Sequence, residues 1–127
     1  MKSKKFFLFL LVFITLISCS GSDVYQGNWK ATNFVGLQAE INFGKDSFSV
    51  KDSQGGYKEY NYTQNSIKTS NGIKTYGIKL ADGRGYQIHF PNAKTDDIAI
   101  IMDENGNVIY TLNRKEYMLY EDIYKLN

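Results

Sequence analysis

A chain of 127 residues with a formal net charge of +2, one cysteine, one histidine and one proline is sized for a single domain with its own core, and it can hold neither an internal disulfide nor a histidine pair. The positive balance is confined to the start: Lys2, Lys4 and Lys5 precede every acidic residue, and beyond them 12 basic residues face 13 acidic ones, which excludes a nucleic-acid footprint and a polybasic membrane patch. Ten tyrosines, eight phenylalanines, 11 glycines and a single proline describe a compact all-β chain rather than a helical one.

Lys2, Lys4 and Lys5 stand ahead of the apolar run Phe6 to Ile17, the order of a secretory signal peptide. About a dozen apolar residues fall short of the roughly 20 that a membrane-spanning helix needs. Leu16-Ile17-Ser18-Cys19 closes the run and resembles the bacterial lipoprotein lipobox. That resemblance implies removal of residues 1–18, diacylation (palmitate-type chains) of Cys19, a lipidated N-terminus and short tether over 19–23, and a folded domain over 24–127. Two or more acyl chains hold a protein firmly on a bilayer. The expected location is the bacterial cell envelope, with Ser20 after the cysteine pointing to the outer membrane by similarity to enterobacterial sorting rules. An ordinary secreted protein with one free cysteine is the alternative.

From there, period-two runs alternate with turn chemistry at nearly regular spacing. Trp29 to Thr32 follows Gly27 as a first strand; Leu37 to Phe43 alternates Leu37, Ala39, Ile41 and Phe43 against polar residues. Gly44-Lys45-Asp46 turns the chain into Phe48 and Val50, and Ser53 to Gly56 ends that strand. Tyr57 to Thr63 puts Tyr60 and Tyr62 on one face, and Ile67 to Thr69 leads to the hairpin signal Asn71-Gly72, where positive φ is cheap. Tyr76, Ile78 and Leu80 continue; after Ala81 to Gly85, Tyr86, Ile88 and Phe90 alternate with Gln87 and His89 until Pro91. Ile98 to Met102 lacks polar alternation and so is expected to be covered on both faces. Asp103 to Gly106 turns into Val108, Tyr110 and Leu112, ending at Arg114. Leu119, Ile123 and Leu126 then follow helical spacing, so the tail is read as a short C-terminal helix over the outside of the Ile98 strand, or else as a ninth strand.

Eight or nine strands linked as successive hairpins manage their edges most simply by closing into a small antiparallel up-and-down barrel. Gly27-Asn28-Trp29 resembles the Gly-x-Trp signature of lipocalins, Thr95-Asp96-Asp97 resembles their Thr-Asp-Tyr motif with Asp97 in place of tyrosine, and Arg114 matches their arginine near the end of the last strand. The resemblance implies a lipocalin-like (calycin-like) barrel closed at one end by Arg114 over Trp29, with a β-sandwich as the alternative.

No catalytic constellation stands out. His89 faces outward in the alternation, the serines lack a nucleophile-elbow pattern, and Asp103-Glu104-Asn105-Gly106-Asn107 lacks the ligand spacing of a calcium loop. Neither a metal nor a cofactor is expected, and Asp96, Asp97, Asp103 and Glu104 read as a solvated rim. Tyr60, Tyr62, Tyr76 and Tyr86 fall on inward faces, where they either fill the core or line a small cavity. Tyr117, Tyr120 and Tyr124 suit a protein-contact surface. Two functions follow: a non-catalytic envelope lipoprotein binding a small hydrophobic ligand, or a protein-interaction lipoprotein such as an inhibitor or immunity factor against a toxin or hydrolase.

Overall fold

The computed structural model describes residues 24–124, so the signal and lipidation expectations around Cys19 lie outside the described residues, as does Leu126. Eight strands follow in order: β1 (Gly27–Thr32), β2 (Gln38–Phe43), β3 (Ser47–Asp52), β4 (Tyr57–Ser70), β5 (Ile73–Leu80), β6 (Gly85–Phe90), β7 (Ile98–Asp103) and β8 (Val108–Asn113). Each pairs antiparallel with the next, and β1 pairs with β8, closing the sheet into an up-and-down barrel. Closure removes the free edges of an open sheet, an aggregation hazard, except along β4 from Thr63 to Ser70, which pairs only with β5. The tail contributes one helical turn, α1 (Tyr120–Ile123), rather than a ninth strand.

Period-two patterning sets the inward faces. Trp29, Ala31, Ala39, Ile41, Phe43, Phe48, Tyr62, Tyr76, Ile78, Ile88, Phe90, Ala99 and Leu112 share one buried cluster. The two barrel ends differ. At the end where β1 begins, Tyr25 is buried against Phe43, Tyr62 and Tyr76 at ring separations of 5.4, 6.4 and 5.2 Å, and Trp29 packs on Phe90 at 6.1 Å. This is the closed end.

The opposite end carries four turns built alike. Gly36, Gly55, Gly83 and Gly106 each donate their N–H to the carbonyl three residues earlier, on Asn33, Asp52, Leu80 and Asp103. All four glycines have φ between 87° and 101°, where a Cβ is strained. Side-chain oxygens complete the turns: Asn33 Oδ1 accepts from the N–H of Val35 and Leu37, Asp52 Oδ1 from Gln54 and Gly56, Asp82 Oδ1 from Arg84, and Asp103 Oδ1 from Asn105 and Asn107.

Two elements and one residue depart from the sequence reading: Leu37, grouped there with Ala39, Ile41 and Phe43, precedes β2 and is exposed at the turn. β4 is one 14-residue strand rather than two short ones, continuing through a bulge between Gln64 and Ser66 to the Asn71-Gly72 turn, where both φ values are positive. α1 is a single turn without a buried residue. The unbroken apolar run of β7 nonetheless has its expected second cover: Ile100, which alternates away from core residues Ala99 and Ile101, is only 2% exposed. Just after β8 the chain bends, with Asn113 Oδ1 accepting from the N–H of Lys115 and Glu116.

Candidate functional site

A cavity of about 140 Å³ lies inside the barrel. Its walls are apolar, with Ile41, Val50, Ile78, Leu80, Ile101 and Ile109 from five strands, and it reaches the surface beside Arg84, Tyr60, Tyr86 and Tyr110. Phe43 and Phe48 belong both to the cavity wall and to the aromatic packing beneath it, their rings 5.1 Å apart. The space therefore sits above the closed end and below the four similar turns.

The four tyrosines singled out from the sequence divide between these levels. Tyr60 and Tyr86 line the cavity. Tyr62 and Tyr76 do not; they are buried among Tyr25 and Phe43 or Phe90. The Tyr62 hydroxyl donates to the Gly44 carbonyl at 2.6 Å, and burial raises its pKa above 10.0. These two rings are packing.

Tyr110 and Arg84 join the mouth, although alternation alone marked Tyr110 only as a strand residue and Arg84 as part of a turn. Burial first, then the nearby Tyr60 and Asp52, raises the Tyr110 pKa, keeping its phenol a neutral donor. Arg84 is exposed, its Nη2 2.8 Å and its Nε 3.0 Å from Asp82 Oδ2. The Asp82 bond holds the arginine's pKa up and the arginine holds the carboxylate's down. The same guanidinium lies 5.4 Å from the Tyr60 ring centroid, and its Nη1 donates to the Tyr86 hydroxyl at 3.4 Å. With its charge paired, the mouth presents hydrogen-bonding groups more than a net field.

At the closed end, Arg114 lies over Trp29. The guanidinium is 3.7 Å from the indole centroid, and its terminal nitrogens donate to the carbonyls of Val24, Gln26 and Asn28 at 2.9–3.0 Å. The indole N–H donates to the Tyr25 carbonyl at 2.8 Å. Burial disfavours the arginine's charge, and Asp97 and Asp96 oppose that shift. In the Thr95-Asp96-Asp97 segment, Thr95 Oγ1 accepts from the Asp97 N–H and the Asp97 carbonyl accepts from the Arg114 N–H. Asp96 and Asp97 pair with Lys74 and Lys115.

His89 lies on the outer surface, hydrogen-bonded through Nδ1 to Thr75 Oγ1 at 2.8 Å, with its pKa lowered by burial. Asp103 closes its own turn, and the N–H and side-chain amide of Asn107 hold its pKa down. Tyr117 lies under the Lys30 ammonium at 5.2 Å, while Tyr120 and Tyr124 are exposed and stacked edge-on at 5.5 Å. Among the described residues, no three His, Cys, Asp or Glu side chains gather as a metal site, and no helix is long and apolar enough to cross a membrane. Compared with protein-family models, curated proteins and solved structures, the chain matches none.

Proposed function

We propose that this protein is a lipid-anchored lipoprotein of the bacterial envelope, held by acylated Cys19 in the outer membrane, whose lipocalin-like barrel binds one small hydrophobic molecule without transforming it. The observation that carries the reading is the apolar cavity of about 140 Å³. An engineered apolar cavity of roughly 150 Å³ binds benzene, so the space suits one six-membered ring with a small substituent. Arg84 is already paired with Asp82, which favours an uncharged ligand. The hydroxyls of Tyr60, Tyr86 and Tyr110 would meet a single hydroxyl or carbonyl group on it.

Calorimetric titration of the purified mature domain with phenol, p-cresol and indole tests the reading. Saturable one-to-one binding of at least one probe is expected, with a negative heat-capacity change from apolar burial. Absence of saturable binding by all three at millimolar concentration would overturn it. Cys19 is tested separately: Cys19→Ala should move the protein from the membrane fraction to the aqueous one.

A protein-binding role, as an inhibitor or immunity factor, is favoured by a different observation. Phe34, Val35 and Leu37 are 84%, 63% and 63% exposed in a single turn. Clustered exposed apolar side chains of this kind suit an interaction site.

A further inference from the structure

The four open-end turns provide an internal comparison. All four share the glycine N–H to carbonyl bond. In three of them the acceptor side chain stands at the strand end, on Asn33, Asp52 and Asp103, whereas in the remaining one Leu80 holds that place and Asp82, just before the glycine, accepts instead. Their two residues ahead of glycine are Phe34-Val35, Ser53-Gln54, Ala81-Asp82 and Glu104-Asn105. Three of the four thus form the same bend with small or polar residues. The backbone has no need of Phe34 or Val35, and neither is among the core residues. Leu37, just after the turn, adds a third exposed apolar side chain. Asn33 fixes the bend by accepting from the N–H groups of Val35 and Leu37 while its own N–H bonds the Leu37 carbonyl at 2.9 Å. A turn ordered before binding loses little entropy on docking.

We infer that the Asn33–Leu37 turn is a docking knuckle for a soluble protein bearing a concave apolar cleft, and that the seated partner covers the mouth of the cavity. This deepens the protein-binding reading, and the choice of a protein over a lipid rests on the Cys19 anchor. The chain preceding residue 24 leaves from the closed end, beside Trp29 and Arg114, whereas β1 carries residues 33–37 to the other end of the barrel. The tether Cys19 to Asp23 is five residues long, so an anchored barrel turns its closed end to the bilayer and the knuckle away from it. Cover of the mouth follows from size: a standard interface takes about 800 Å² from each partner, enough to span most of the end of a narrow eight-strand barrel. Arg84, Tyr60, Tyr86 and Tyr110 stand at that same end.

The test uses the full chain expressed in its own host, with photoreactive benzoylphenylalanine placed at position 34 and, as a closed-end control, at position 94. Irradiation should produce one defined heterologous protein adduct from position 34 and none of that mass from position 94. With that partner purified, wild-type protein and the Phe34→Ser, Val35→Ser, Leu37→Ser triple variant are compared by calorimetry. At least 30-fold weaker binding is expected for the variant at an unchanged thermal midpoint, and bound partner should slow phenol exchange at least tenfold. Lipid adducts at position 34, adducts with a second copy of the chain, no adduct, or a triple variant within threefold of wild type would overturn the proposal. Cys19→Ala fractionation is read independently: a wild-type protein found in the aqueous fraction refutes the anchor, whatever position 34 touches.

Discussion

Arg114 holds Trp29 from above while tying together three carbonyls of the segment that leads into it: the guanidinium is 3.7 Å from the indole centroid and donates to Val24, Gln26 and Asn28. A planar cation with several fixed donors does both at once, and a lysine ammonium cannot. Charge-assisted hydrogen bonds are worth about 1.5–3 kcal/mol each when buried, and a cation over indole about 0.5–2. Because Arg114 remains partly exposed, Arg114→Ala should cost about 2–4 kcal/mol in total by chemical denaturation. Arg114→Lys should recover less than half of that, and equal stability of the lysine and wild-type proteins would refute the role.

Gly27 is constrained by the same arginine. Its φ is +105°, and a Cβ there would lie 3.0 Å from Arg114 Nη1. Gly27→Ala should therefore lose about 1–3 kcal/mol from backbone strain and a displaced guanidinium. Gly55→Ala, with a positive φ but open space around it, should lose less; thermal melts of the two variants make the comparison.

Thr32 offers a gain instead. Its hydroxyl is buried and has no hydrogen-bond partner among the described residues. Thr32→Val keeps the β-branched shape and removes the orphaned oxygen, so stability should rise by about 1–2 kcal/mol. A lower denaturation midpoint would show that the hydroxyl has a partner after all.

His89 should give stability a pH slope. Burial places its folded-state pKa below the usual 6.5, so the unfolded chain takes up the proton first as pH falls. Stability is then complete above pH 6.5, declines as pH falls from there toward the folded value, and flattens below it. His89 is the only histidine, so His89→Gln should abolish the slope between pH 7 and 5, measured by denaturation at each pH.

The cavity predicts an asymmetric response to filling. Val50 lines it and is half-buried; Val50→Phe should weaken phenol or indole binding at least tenfold while leaving the thermal midpoint equal or higher, since added packing offsets the lost space. Tyr76→Phe, at a ring outside the cavity, should leave probe affinity within twofold.

Inward and outward faces within the strands were legible because strand side chains alternate with a period of two. The turns after β2, β3, β4, β5 and β7 were readable from their chemistry, whereas the Asn33–Gly36 bend, with Phe34 and Val35 inside it, was not. Height along the barrel was not. Tyr60 and Tyr62 share a face, yet one lines the cavity and the other is packed under it; that distinction depends on the pairing of Phe48 with Tyr60 and of Tyr62 with Leu80, long-range registers that no local pattern encodes. β4 looked interrupted because Thr63 to Ser66 is polar throughout, whereas a bulge and exposed faces let such residues stay in the ladder. Tyr25 escaped notice because it precedes the first alternating run, and the helical spacing of the tail produced only one turn because isolated short helices are marginal.

The seam between β1 and β8 joins Lys30 with Asn113, Ala31 with Leu112 and Thr32 with Thr111, three pairs where neighbouring strands make four to eight. It lies next to the Arg114 clasp on Val24, Gln26 and Asn28. Any mechanical load carried by the chain before residue 24 enters the barrel at that clasp, so a pull on the N-terminus is shared at once with the last strand. The shortest ladder in the barrel is thereby shielded from being peeled open one pair at a time.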